Sequence, residues 1–471
     1  MRAAGNLRGF DIMKIQFLGA TGTVTGSKYL VTSRQANLFV DCGLFQGYKQ
    51  LRLRNREPLP VSPTEIDAVV LTHAHLDHSG YIPLLVKDGF RGKIYCSEAT
   101  YDLCKILLPD SGHLLEEEAE YANRHGYSKH HPALPLYTED DARRSLKFFA
   151  PVAFGKQFEP CDGLRATLSP AGHILGAGIV SLFDGKVTAT FSGDLGRPND
   201  LLMVAPKIIE HTDYLIVEST YGNRLHEPED PTIMLGRIIR ETAARGGLTI
   251  IPSFAVGRAQ ELLYYIHLLK KSGDIPDCLP VYLNSPMAVD ALDIYHKHRN
   301  EHRLTDEQCR AMCHAAKIVN TVEESIELNR KHVPMVIIAA SGMATGGRVL
   351  HHLKAFASDH RNTILFAGYQ AGGTRGAAML AGADAIKIHG EYVPLRAQVE
   401  QIGNLSAHAD SDEIMAWLSH FKTPPLETFI THGEPDAADA LRKRIEDELG
   451  WQCRVPDYRD VFSLHGGSPE Q

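Results

Sequence analysis

The stretch Leu71–Gly80, LTHAHLDHSG, places His73, His75, Asp77 and His78 within six positions, directly after the apolar run IDAVVL. Imidazoles and carboxylates at this density suit one task above others: holding a divalent metal while leaving a position open for water. A lone histidine pair reads as surface decoration. Four such residues after a buried run, followed by the small residues Ser79 and Gly80, read as ligands.

Further donors share that setting, each at the end of an apolar segment. FVDCG delivers Asp41, LSPAGH delivers His173, TFSGD delivers Asp194 and FITHG delivers His432. Loops at one edge of a sheet are where a rigid scaffold holds reactive groups. Seven ligands exceed what one tetrahedral ion takes, so they divide. His73, His75 and His173 are assigned to one metal, Asp77, His78 and His432 to a second, with Asp194 bridging. Two ions about 3.5–4 Å apart hold a hydroxide between them and stabilise the leaving oxygen of an in-line displacement. Two zinc ions per chain are expected; manganese and iron suit the same donors. Asp41 is read as orienting a ligand imidazole.

The elements that must position these groups are legible from hydrophobic patterning. A chain of 471 residues exceeds one ordinary core, and two domains are expected. MKIQFLGA, SKYLVTS, ANLFVDCG, IDAVVLTH, KIYCSEAT and TDYLIVEST read as strands. The polar stretch from Pro109 to Pro135 reads as helix or loop, a candidate cover over a site. After YGNRLHEPEDP the texture changes to strand–helix alternation: LTIIPSF, LPVYLNSPMA, VPMVIIAASG and NTILFAGYQ are strands, each followed by helical sequence. That pattern predicts a parallel sheet. The expected division is residues 1–215 and 403–471 for the metal-binding domain and 216–402 for the second.

The net charge of −8 argues against general affinity for nucleic acid or anionic membrane, although bound cations would dominate the local field. Eight cysteines form no CxxC pair, and Cys309 and Cys313 read as packed thiols. No apolar run is long enough to span a membrane, and MRAAGNLRGF lacks the apolar core of a signal peptide, so the cytoplasm is expected. Residues 1–12 read as an upstream extension ahead of Met13. The pairs His130/His131, His296/His298 and His351/His352, and the run Glu116–Glu118, read as solvated surface. SGMATGGR, between a strand and a helix, has small residues that let backbone N–H groups approach an anion. Ser341, Gly342 and Arg348 there, and Arg258 in SFAVGR, are candidate phosphate contacts; a tight structural turn is the equal alternative.

HAHLDH resembles the HxHxDH signature of the metallo-β-lactamase fold, and AGH and SGD resemble its later ligand motifs. VEST with Glu218, LSAHAD with His408 and ITHGE with His432 resemble the further motifs of the beta-CASP branch, as do PSFAVGRAQELL and SGMATGGRVLHHL. The resemblance covers nearly the whole chain and is nearest to bacterial and archaeal relatives of the cleavage-and-polyadenylation endonuclease subunit. It implies an α/β fold, a metallo-β-lactamase αββα sandwich interrupted by an inserted beta-CASP domain with a mainly parallel sheet. It implies hydrolysis of single-stranded RNA, since His432 stands where DNA-directed members carry valine, and it alone suggests a homodimer. Asp77 would hold the attacking hydroxide and accept its proton. His408, oriented by Glu218, would neutralise phosphoryl charge and protonate the leaving 3′ oxygen. Three other readings share the metal core: a small-molecule hydrolase of thioesterase or lactonase type, a DNA nuclease, and a non-catalytic RNA-binding scaffold.

Overall fold

The computed structural model describes residues 12–466, apart from residues 35, 127 and 129. The proposed extension at residues 1–12 therefore lies, save its last residue, outside the described residues.

Two mixed seven-stranded sheets form the first unit. From edge to edge the first runs Val461–Leu464, Met13–Phe17, Tyr29–Ser33, Ala36–Val40, Ala68–Val70, Lys93–Cys96 and Phe149–Pro151. The second runs Cys453–Arg454, Glu427–Thr431, Tyr214–Glu218, Thr188–Phe191, Gly178–Phe183, Leu164–Pro170 and Gln157–Cys161. Alternate residues of both sheets meet in one core: Ile15, Leu38 and Val70 against Leu182, Phe191, Ile216 and Phe429. The outer faces are covered by helices, with Leu85 and Leu103 on the first sheet and Ile414 and Leu441 on the second. This is the expected αββα sandwich.

The stretch from Pro109 resolves into the end of a long helix, Glu98–His125, packed over the first sheet. Ser97 caps it by accepting from the Thr100 N–H at 3.1 Å, and Gly126 ends it in the left-handed region at φ 63°.

The inserted unit is built on six parallel strands, in the order Lys317–Ile318, Val281–Asn284, Val336–Ala339, Thr249–Pro252, Thr363–Ala367 and Gln398–Ile402. Helices pack on both faces, as the near-continuous apolar strands require. Tyr214–Glu218 belongs wholly to the second sheet of the sandwich, so the expected boundary at residue 216 falls inside a strand and the chain leaves after Glu218. It returns after Ile402, and Glu427–Thr431 then pairs in parallel with Tyr214–Glu218, setting Glu218 beside Thr431. Residues more than two hundred positions apart become neighbours on one sheet edge.

Two histidines assigned to solvent are buried. His298 lies 2.6 Å from Asp102 on the long helix, and His352 sits between Asn284 and Asn329 at 2.7 and 2.6 Å. Their partners come from distant elements, which a local window of sequence does not display. His130, His131, His296 and His351 are exposed.

The loop after Val40 is pressed against the turn that carries the histidine cluster. The Cys42 N–H donates to the His78 carbonyl at 2.7 Å, and a Cβ on Gly43 would stand 1.6 Å from the Asp77 carbonyl oxygen. Gly43→Ala is therefore expected to destabilise the protein by about 2 kcal/mol or more. Thermal unfolding, with zinc content measured on the same preparation, reads both the loss and its spread to the ligands.

Candidate metal centre

Every proposed ligand arrives at one edge of the sandwich. His73, His75, Asp77 and His78 follow the strand Ala68–Val70; His173 follows Leu164–Pro170, Asp194 follows Thr188–Phe191, and His432 follows Glu427–Thr431. The donor atoms fall into two groups, His73, His75, His173 and Asp194 in one and Asp77, His78 and His432 in the other, each within 4.8 Å. His75 Nδ1 lies 3.2 Å from both His73 Nε2 and His173 Nε2, and His78 Nε2 lies 3.1 Å from His432 Nε2.

Asp194 joins the groups. Its Oδ2 is 3.5 Å from His73 Nε2 and 3.6 Å from His173 Nε2, whereas Oδ1 is 3.2 Å from His78 Nε2. His432 Nδ1 is 3.5 Å from the same Oδ1, and its Nε2 is 3.4 Å from Asp77 Oδ2.

Tautomers follow from the partners behind the ligands. Asp41 Oδ2 accepts from His78 Nδ1–H at 2.7 Å, which leaves the Nε2 lone pair facing forward. The Thr72 hydroxyl donates to the same Asp41 oxygen at 2.9 Å and accepts from His73 Nδ1–H at 3.1 Å, so one carboxylate orients two imidazoles. The Thr72 N–H donates to Asp41 Oδ1 at 2.7 Å. Both Asp41 and His432 hold φ in the left-handed region, at 56° and 50°, a conformation that costs a non-glycine residue energy and persists where surroundings enforce it.

This donor set fits a metal. Burial, reinforced by neighbouring imidazoles, drives His73 and His173 well below the ordinary histidine range and His75 down to about 4, so all three are neutral. Burial favours a neutral carboxyl at Asp77, but His78 and His432 outweigh it and hold the group ionised. Neutral imidazoles whose lone pairs converge have no proton to share among them, and Asp194 Oδ1 is buried without a hydrogen-bond partner. A cation resolves both conditions, and imidazole nitrogen with carboxylate oxygen is a zinc ligand set.

Behind the ligands stands a second pair. His408 Nδ1 lies 3.0 and 3.1 Å from the two oxygens of Glu218, and its Nε2 is 3.9 Å from Asp194 Oδ2. Glu218 is held by the Leu195 N–H at 2.6 Å and the Thr220 N–H at 3.3 Å. Burial opposes the charge on His408, yet Glu218, Asp194 and Asp77 together raise it to about 9; cations at the adjacent groups would lower it again. The loop carrying His408 is tied down on two sides. The Ala409 N–H donates to the Leu195 carbonyl at 2.8 Å, and His226 Nε2–H donates to the His408 carbonyl at 2.9 Å.

The four proposed phosphate contacts are placed differently. Arg348 donates from Nη1 to Asn284 Oδ1 and the Val319 carbonyl and from Nη2 to the Asn320 carbonyl, so these donors brace the inserted domain. Arg258 is buried and paired with Glu261, whose carboxyl burial pushes up to about 7 against the pull of Arg258. The Ser341 hydroxyl accepts from the N–H groups of Thr345 and Gly346 and closes a turn. Gly342 lies beneath Phe254, where a Cβ would come within 2.8 Å of the ring. Sequence reading missed Thr72, Thr220, His226 and Phe254; all four lie inside quoted segments, and only three-dimensional contacts reveal their use.

Comparison with known proteins agrees with this architecture. The metallo-beta-lactamase superfamily matches residues 21–231, the Beta-Casp domain residues 259–379, and the Zn-dependent metallo-hydrolase RNA specificity domain residues 392–456. The chain is 36% identical to Ribonuclease TTHA0252 of Thermus thermophilus over 443 residues, covering 92% of this chain and 96% of that one. It is 32% identical to Transcription termination factor FttA of Methanocaldococcus jannaschii, covering 94% of this chain and 71% of that one. The fold also matches a crystal structure of a protein of unknown function from Enterococcus faecalis at TM-score 0.54 and 13% identity, over 96% of this chain and all of that one.

Because Asp41 sets the tautomers of two ligands, Asp41→Asn is expected to weaken zinc binding about 10- to 100-fold, measured by competition with a chelator. Thr72→Val, which cuts the path to His73 alone, is expected to cost less. With this pattern of ligands and these matches along its length, the chain belongs to the metallo-β-lactamase superfamily, as a beta-CASP member with the RNA specificity domain: a zinc-dependent, RNA-directed metallo-hydrolase.

Proposed function

We propose that the protein hydrolyses phosphodiester bonds of single-stranded RNA, in RNA processing or decay, with two zinc ions per chain held one in each ligand group. The observation that carries this reading is the divided carboxylate of Asp194, with one oxygen toward each group. When bound, the ions supply a nucleophile at neutral pH and offset charge on the phosphoryl oxygens.

The chain's own residues supply the rest. Asp77 is the more exposed of the two acidic ligands, at 21% against 2% for Asp194, and its carboxylate reaches the open side of the centre. There it holds the attacking water in line and takes its proton. Glu218 accepts the Nδ1–H of His408 and its charge favours the imidazolium form, whose second proton, on Nε2, is directed toward Asp194 and the phosphate site. From that position His408 stabilises charge on the phosphoryl group and protonates the departing 3′ oxygen. Ser341 and Gly342, on the connection that meets Phe254, would border the path of the strand, while Arg258 and Arg348 brace the inserted domain through their own partners.

RNA as the substrate is supported by the RNA specificity domain, whose matched residues contain both His408 and His432. It is supported too by similarity to a relative named a ribonuclease over nearly its whole length. We place this activity in the cytoplasm: all eight cysteines are free, which suits a reducing compartment. No helix among the described residues is long and apolar enough to cross a membrane.

The test is turnover of a 5′-labelled single-stranded RNA with metal analysis of each variant. His408→Ala is expected to keep its zinc and lose about 10²- to 10⁴-fold in kcat, the range for a proton-transfer group. Asp77→Ala is expected to lose both activity and part of its metal. Unchanged turnover by His408→Ala at saturating RNA would remove the acid role, and zinc-loaded wild type that leaves RNA intact would remove the proposal.

A further inference from the structure

Phe254 follows the apolar strand Thr249–Pro252, and an aromatic in that position ordinarily turns into the core. Here 37% of it is exposed, and its ring centroid lies 5.9 Å from that of His75, a proposed metal ligand, at 44° between planes. It is not a loose surface ring. The Phe254 carbonyl accepts from the Ala259 N–H at 3.1 Å and from the Ser253 hydroxyl at 3.0 Å. Gly342 lies so close that any side chain there would displace the ring.

The topology explains why a ligand would meet it. Thr249–Pro252 and Val336–Ala339 are adjacent and parallel, but the helices that follow them pack on opposite faces of the sheet. Leu262 and Ile266 of Arg258–Ser272 share a core with Ile251 and Ile338, whereas Val349 and Leu353 of Val349–Phe356 share one with Ile250 and Ile337. The two connections diverge outside the carboxyl ends of the strands, the recurrent ligand position in parallel sheets. Phe254, from one connection, is packed against Gly342 of the other and keeps part of its surface open to solvent. On the sandwich side, the ring faces the metal centre through His75.

We infer that Phe254 is a stacking platform for one nucleobase of the RNA strand, at a nucleotide adjoining the scissile phosphate. A phenyl face accepts any of the four bases, because each presents a π-surface, so the contact would position the strand without reading its sequence. Such positioning is what an in-line attack needs from groups that take no part in the chemistry. The inference rests on the RNA-hydrolase reading above. The competing role for the ring is an apolar cover over His75.

The test compares kcat/KM for a short single-stranded RNA with that for RNAs carrying one abasic ribose at each position flanking the cleaved bond. The enzymes are wild type, Phe254→Trp, which keeps an aromatic face, and Phe254→Leu, which keeps only an apolar cover. At one position, loss of the base should cost wild type and Phe254→Trp about tenfold or more, and Phe254→Leu less than about threefold. Equal base sensitivity of wild type and Phe254→Leu at every position would overturn the inference and leave the ring as a cover. Failure of wild type to cleave the intact RNA would instead remove the hydrolase reading, and the inference with it.

Discussion

Five imidazoles and two carboxylates gathered within a few ångströms, most of them shut away from water, are held together by a cation or not at all. Burial strips His73, His75 and His173 of their protons and leaves their lone pairs facing one another, while Asp194 keeps a buried oxygen with no donor. Desolvation of this kind is costly unless the charge is matched. The protein concentrates the cost at one sheet edge and supports it with a frame of strands whose inward residues are almost fully excluded from solvent. The strained loops at Asp41 and His432, and the glycine at 43 that lets two loops touch, are local features that serve this gathering.

The same edge couples the two domains. The strand ending at Glu218 sends the chain out into the inserted domain, and the strand ending at Thr431 lies beside it after the chain returns. Glu218 and His408 are therefore brought together by the exit and the re-entry of the insertion. His226, in the outgoing segment, ties to the backbone of His408, and Asn404, in the returning segment, donates to the carbonyls of Glu227 and Glu229. The pair that would move a proton is thus set by the geometry of the domain crossing. The inserted sheet contributes Phe254 beyond its carboxyl edge, where the ring meets His75.

Much of this was legible in the residues. Donors at strand ends and the change of texture after YGNRLHEPEDP reflect physics written locally: burial runs, period and turn chemistry. The grouping of ligands could be argued by counting donors, because each metal takes few. What escaped was whatever depends on residues meeting from afar. Thr72 is unremarkable until Asp41 stands behind it, and His298 and His352 look solvated until Asp102 and Asn284 arrive from other elements. Arg348 carries the right charge for phosphate, but its guanidinium finds carbonyls of its own domain first. Phe254 sits inside a segment quoted for its arginine, and its place between Gly342 and His75 depends on residues that meet it from afar.

Asp194 would join two metal positions. Anomalous diffraction at the zinc edge, from crystals of the protein loaded with saturating zinc, reads this out. Two peaks are expected roughly 3.5–4 Å apart, one against His73, His75 and His173 and one against Asp77, His78 and His432, with Asp194 reaching both. A single peak, or a second one away from these residues, would contradict it.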